Sequence, residues 1–157
     1  MRNVAIMRFV DSFKQPQRLR LRDVLSKKEE LERYFKDKLI DLVFVHGSLA
    51  KDVMRALSDV DIAVLFREDN VSYKDVAEIV EKLSEMFGRD DIDVAVMNHA
   101  SPLLCMQVLT NGRLLYGRSG EVLKTFRLRT LQRYLASKHL MKTLHRYMQR
   151  AIARSST

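Results

Sequence analysis

Two aspartates, Asp59 and Asp61, lie at the start of an apolar segment, and their spacing favours the binding of a metal ion. Side chains two residues apart in a β-strand point to the same side, so a strand here places both carboxylates on one face. Neighbouring carboxylates repel each other, and a divalent cation relieves that repulsion. Carboxylate oxygens are also the ligands that Mg²⁺ selects. The pair therefore predicts a magnesium site, with a solvated surface turn as the simpler alternative.

A Gly-Ser pair, Gly47 and Ser48, lies shortly before these aspartates. Glycine lets a ligand approach the backbone closely, and serine offers a hydroxyl and an N–H group. If a helix begins at this pair, its N-terminus favours a bound phosphate. Each motif alone has little specificity, but together they predict a metal-dependent phosphate site.

The elements that must position these groups are strands and helices in alternation. Strands are predicted at residues 40–46, 60–66 and 91–97, with short ones at 1–10 and 113–116, from their β-branched and apolar content. Capping patterns predict helix starts at Ser26, Ser72 and Ser101, and residues from 121 onward are helical in pattern. The order predicts an α+β (α/β-like) domain: a small mixed β-sheet with flanking helices and a C-terminal helix.

The signature Gly47-Ser48, Ala50-Lys51 and Ser58-Asp59-x-Asp61 resembles that of the polymerase-β-type nucleotidyltransferase superfamily, and in particular its minimal nucleotidyltransferase branch. The resemblance covers about residues 30–120 and includes the segments 91–97 and 112–116. It implies a polymerase-β-type nucleotidyltransferase domain over residues 1–120. Residues 121–157 would then be a helical extension packed on that domain or on a partner.

The resemblance also implies roles for individual residues. Asp59, Asp61 and Asp93 would be catalytic and would bind Mg²⁺ or Mn²⁺, with Asp91 as the alternative third carboxylate. ATP would be held at its phosphates by four residues, namely Gly47, Ser48, Lys51 and Ser58. A hydroxyl would attack the α-phosphate in line and pyrophosphate would leave, with two metal ions stabilising both oxygens. Asp93 would help to deprotonate the attacking hydroxyl.

One position departs from the family pattern. Asp52 follows the basic Lys51 where the family commonly has glycine. A carboxylate here brings negative charge towards the phosphates, which predicts a weakened nucleotide site.

The minimal branch implies a function as the antitoxin of a toxin–antitoxin system. Such a protein transfers AMP from ATP to a tyrosine of a HEPN-type ribonuclease toxin, a reaction called AMPylation. The alternatives are a non-catalytic antitoxin that only binds its partner, and a nucleotidyltransferase that acts on RNA or on a small molecule. A polycationic aminoglycoside is disfavoured because residues 101–157 carry a net charge of +10.

The charge is distributed unevenly along the chain. The net charge of +8 combines +4 for residues 1–50, −6 for residues 51–100 and the strongly basic end. A uniformly basic nucleic-acid binder does not need such an acidic middle, whereas a metal site does. A lone Cys105, no apolar run near 18 residues and no signal-peptide pattern predict a cytoplasmic protein outside the membrane.

The C-terminal helix carries two separate patterns. Its apolar seam repeats every seven residues and consists of Tyr134, Met141 and Met148 with Ser137, Leu144 and Ala151. Its basic stripe repeats every four residues and consists of Lys142, Arg146, Arg150 and Arg154. The seam favours packing or a homo- or hetero-oligomer, and the stripe predicts an acidic protein partner or nucleic acid, with a solvated helix face as the simpler alternative.

Overall fold

The computed structural model of the protein describes residues 19–53 and 58–155, with the backbone alone for residues 150–155. The strand predicted within residues 1–10 lies outside the described residues. Along the described chain the elements are α1 (Leu21–Ser26), α2 (Lys28–Lys36), β1 (Ile40–Val45), α3 (Gly47–Ala50), β2 (Val60–Phe66), α4 (Tyr73–Phe87), β3 (Ile92–Val96), α5 (Pro102–Asn111), β4 (Arg113–Gly117) and α6 (Gly120–Ser155).

The strands form one mixed sheet in the order β3-β2-β1-β4. β1 is antiparallel to both β2 and β4, while β2 and β3 are parallel. Parallel neighbours need a long crossover, and α4 provides it between β2 and β3. The predicted mixed sheet with flanking helices is therefore confirmed.

Alternate residues of β2 pack on opposite faces of this sheet. Val60, Ile62 and Val64 belong to the core shared with α2 and α4, whereas Ala63 belongs to the core shared with α5 and α6. Asp61 precedes Ala63 by two residues, so its side chain lies on the α5/α6 face. Asp61 is thus held near one end of an inner strand, in a sheet whose two faces are both covered by helices.

Two of the predicted helix starts are confirmed. The Ser72 hydroxyl accepts a hydrogen bond from the Asp75 N–H at 3.2 Å, and Ser101 caps α5 immediately before Pro102. Gly88 ends α4 with a φ of 64°, a left-handed conformation that glycine adopts without steric cost.

The helix predicted to begin near Ser26 is present as α2, which begins at Lys28. The predicted cap is wrong, because Ser26 is the last residue of α1. Its hydroxyl donates back to the Asp23 carbonyl at 2.8 Å and is not available as a cap. The cap lies one turn earlier, where the Asp23 carboxylate accepts from the Arg20 N–H at 2.9 Å.

The last helix, α6, is 36 residues long, which at 1.5 Å per residue gives about 54 Å. Phe126 and Thr130 in its first half are buried against the domain. None of the helices in the described part of the chain is long and apolar enough to cross a membrane.

Candidate active site

Three predicted carboxylates lie at one end of the sheet, where β2 and β3 begin. Asp61 of β2 is directly opposite Asp93 of β3 in the parallel register, so their backbones are about 4.8 Å apart. Asp59 precedes Asp61 by two residues at the mouth of β2 and is exposed. The alternation of side chains along a strand turns Asp61 and Asp93 towards the α5/α6 face, and Asp59 directly precedes β2.

The backbone of Gly47 lies against the Asp61 carboxylate. Gly47 has a φ of 65°, and a Cβ atom added there would be 2.0 Å from Asp61 Oδ2. Only glycine fits this combination of left-handed backbone and close approach. The same junction is held by the His46 N–H, which donates to the Asp61 carbonyl at 2.9 Å.

Burial and charge perturb two titratable groups here. Burial raises the pKa of Asp61, the half-buried His46 opposes that rise, and repulsion from Asp93 and Asp59 adds to it. Burial lowers the pKa of His46, against the attraction of Asp61 and Asp93. His46 therefore shares the electrostatic field of the carboxylates, although the sequence offered only its position before Gly47 as a signal.

Asp91, the alternative third carboxylate, is engaged elsewhere. It is bonded to the buried Arg89, whose Nε donates to Asp91 Oδ1 at 2.7 Å. This guanidinium lowers the pKa of Asp91. In contrast, Asp93 is exposed and has no ion pair within residues 19–53 and 58–149. Of the two candidates, Asp93 is therefore the one beside Asp61 with its carboxylate available to a ligand.

Arg89 also braces the turn that leads into β2. Its Nη2 donates to the Ser58 carbonyl at 3.0 Å, and the Asp91 carbonyl accepts from the Val60 N–H at 2.9 Å. Asp59 lies between these two anchored residues. The sequence did not predict this role of Arg89, because its contact with Ser58 spans 31 positions and no local pattern indicates it.

The predicted phosphate-binding residues lie on the two segments beside the carboxylates. Gly47 and Ser48 begin the single-turn helix α3, Lys51 follows its last turn with an exposed side chain, and Ser58 directly precedes Asp59. The first amides of a helical turn have no acceptor within the helix and are available to an anion. Residues 54–57, which connect the two segments, lie outside the described residues.

Asp52 occupies a backbone conformation that explains the glycine of the family pattern. It has a φ of 56°, the only positive value among the described residues other than glycine. Aspartate tolerates this region better than most residues. Its Oδ1 also accepts from the Leu21 N–H at 3.4 Å. Asp52 therefore ties the loop after α3 to the start of α1.

The donor set fits a hard divalent cation, because it consists of carboxylates with two exposed members beside a glycine backbone. Among the described residues, no three histidine, cysteine or carboxylate side chains are already gathered closely enough to hold a metal ion. Burial is the main cause of the raised pKa of Asp61, and the contributions from Asp93 and Asp59 show that the three carboxylates are near enough to repel one another. The residues that would hold the metal ion are Asp59, Asp61 and Asp93.

Residues 29–121 match the family model described as polymerase beta, nucleotidyltransferase. The protein belongs to this family, and the predicted polymerase-β-type fold is confirmed.

Two protein adenylyltransferases named MntA are similar in sequence. The one from Shewanella oneidensis is 31% identical over 97 residues, which is 60% of this chain and 66% of the relative. The one from Aphanizomenon flos-aquae is 30% identical over 112 residues, which is 66% of this chain and 75% of the relative.

Solved structures share the fold at lower identity. A toxin–antitoxin structure with AMP-PNP has a TM-score of 0.62 and 24% identity, covering 80% of this chain and 98% of its own. A tri-AMPylated Shewanella oneidensis HEPN toxin in complex with an MNT antitoxin gives 0.58 and 23%, covering 84% and 98%.

Proposed function

We propose that this protein is an antitoxin that transfers AMP from ATP to a tyrosine of a HEPN-type toxin. The observation that carries the proposal is the in-register pair Asp61 and Asp93, set against the Gly47 backbone. The sequence similarity to two protein adenylyltransferases supports the reaction. The fold neighbours solved with AMP-PNP and with an AMPylated HEPN toxin support the nucleotide and the acceptor.

At the α-phosphorus the reaction makes one bond and breaks one bond. The tyrosine oxygen bonds to the α-phosphorus of ATP, the bond from that phosphorus to the bridging oxygen breaks, and pyrophosphate leaves. Asp93 takes the hydroxyl proton, since its carboxylate is exposed and has no ion pair within the described residues. Gly47 and Ser48 present backbone N–H groups to the triphosphate, and Lys51 offsets its charge.

Mg²⁺ or Mn²⁺ is the cation that we assign to Asp59, Asp61 and Asp93. When bound, it neutralises charge on the phosphates and stabilises the attacking and leaving oxygens. Burial is the main cause of the raised pKa of Asp61, and repulsion from Asp93 and Asp59 adds to it. A bound cation would remove that repulsion, which supports the assignment. We place the reaction in the cytoplasm, where ATP is available.

A non-catalytic antitoxin is the second candidate, and Asp52 is the observation that favours it. A carboxylate in place of the usual glycine opposes phosphate binding by charge. Its contact with Leu21 gives Asp52 a second, structural reason to be present.

Transfer of label from [α-³²P]ATP to a purified HEPN-type toxin separates the two candidates. We expect the wild type to label the toxin with Mg²⁺ present. Asp61→Asn should abolish labelling, whereas Asp90→Asn, a change at an exposed carboxylate outside the site, should leave it intact. Neutralisation of the toxin without any label would support the non-catalytic function instead.

A further inference from the structure

The C-terminal half of α6 exposes large apolar side chains. Within residues 140–149 five of them are between 46% and 72% exposed, namely Leu140, Met141, Leu144, Tyr147 and Met148. We call these five residues the distal seam. Exposed apolar clusters of this kind mark interaction sites more often than scattered single residues do.

The distal seam continues the face of α6 that packs on the domain. Phe126 and Thr130 are buried, and residues 137, 141, 144 and 148 follow them at steps of three, four or seven. Such steps keep side chains on one side of a helix. The helix is about 54 Å long and a small domain is about 30 Å across, so α6 carries this face beyond the domain that covers its beginning.

The distal seam begins seven residues after Arg133, which contacts the chain at the end of the sheet that is remote from the carboxylates. Arg133, in the middle of α6, donates to the Ala100 carbonyl at 3.4 Å, and Ala100 follows the far end of β3. Asp93 is at the near end of β3, three residues before its last residue Val96, so about 10 Å of strand separates the two ends. Changes in the distal seam therefore leave the nucleotide site untouched.

Charge selects among the molecules that could cover this face. Residues 122–155 contain nine Lys or Arg and no Asp or Glu. A second copy would present an equally basic helix, whereas an acidic partner would offset the charge of α6, so electrostatic attraction favours the acidic partner. Nucleic acid suits the charge, but it leaves five large apolar side chains without an apolar partner.

We propose that the distal seam docks an acidic helical protein, which presents an apolar groove with Asp and Glu side chains at its rim. This inference rests on the proposed function, because the partner would be the HEPN-type toxin. Burial of the distal seam would hold the complex. A domain about 30 Å across, anchored here, can still reach the carboxylates.

The basic stripe has a different part in this proposal. Lys142 and Arg146 are exposed and lie roughly half a turn away from Leu144 and Met148 around the helix. They therefore attract an acidic partner from a distance and affect the association rate. The side chains of Arg150 and Arg154 lie outside the described residues.

Binding kinetics with the purified toxin test the proposal, using glutamine substitutions that keep helix propensity. Leu144→Gln with Met148→Gln should weaken the affinity about tenfold or more, mainly through faster dissociation. Lys142→Gln with Arg146→Gln should slow association at low salt only. Leu135→Gln is the matched control, because Leu135 is exposed but lies nine positions from Leu144 and hence on the opposite side of the helix.

Each outcome has a defined meaning. If the Leu144/Met148 variant binds the toxin with unchanged affinity while the wild type still labels the toxin, the docking role of the distal seam is wrong and the proposed function stands. No labelling and no binding by the wild type would overturn both. Loss of oligouridine binding with unchanged toxin binding would assign α6 to RNA, and a drop from dimer to monomer in sedimentation would assign the distal seam to a second copy.

Discussion

Gly47→Ala is the substitution with the most direct structural consequence at the site. The new Cβ would be 2.0 Å from Asp61 Oδ2, whereas ordinary contact begins at 3.4 Å, so one of the two groups must move by about 1.4 Å. A displacement near 1 Å at a reacting centre can reduce the rate about 100-fold. The left-handed backbone adds a cost of about 1–2 kcal/mol for an L-residue, which lowers the free energy of unfolding.

Gly88→Ala is the matched control for this change. Gly88 has a φ of 64°, almost the same as Gly47, but a Cβ atom there would meet nothing within 4 Å. Both variants should therefore lose the stability that the left-handed backbone costs an L-residue in urea denaturation, and Gly47→Ala should lose more because of its clash with Asp61. Only Gly47→Ala should lose AMP transfer in an initial-rate assay. Equal activity in the two variants would refute the argument that Gly47 holds the Asp61 carboxylate in position.

Three further predictions concern charges around the site. Asp52→Asn keeps a residue that tolerates the left-handed turn but removes the charge, so the KM for ATP should fall, and less so at high salt. Arg89→Met removes the donors that Arg89 gives to Asp91 and to the Ser58 carbonyl, and it should lower the free energy of unfolding by about 1–3 kcal/mol in urea titrations. Because folding raises the pKa of Asp61, that carboxyl stabilises the fold when protonated, and the contribution is lost as pH rises through the raised pKa. Asp61→Asn should thus raise the melting temperature at neutral pH without divalent cations, with the gain vanishing below the ordinary value of 3.8.

The sequence was informative where the pattern was local. Strand alternation already put Asp59 and Asp61 on one face, and the four-residue capping pattern of Ser72 with Asp75 is reproduced in the structure. Ser26 shows the limit of such patterns, because its hydroxyl donates to the Asp23 carbonyl and does not cap a helix. A capping motif predicts a helix start only when no nearer acceptor competes for the hydroxyl.

What could not be predicted depends on contacts between distant parts of the chain. The sequence left Asp91 and Asp93 as alternatives, and the difference between them arises from the buried Arg89, whose guanidinium also reaches Ser58. The same holds for Asp52, whose positive φ and contact with Leu21 appear only once α1 and α3 are brought together.

Thermal unfolding with ATP and Mg²⁺ tests most directly whether the nucleotide binds at the carboxylates of Asp59, Asp61 and Asp93. A ligand that binds only the native state stabilises it by mass action, so MgATP should raise the melting temperature of the wild type and EDTA should remove that shift. Asp59→Asn with Asp61→Asn should abolish the shift while the protein stays folded, and Asp90→Asn should preserve it. An unchanged MgATP-dependent shift in the double variant would contradict the assignment of the site.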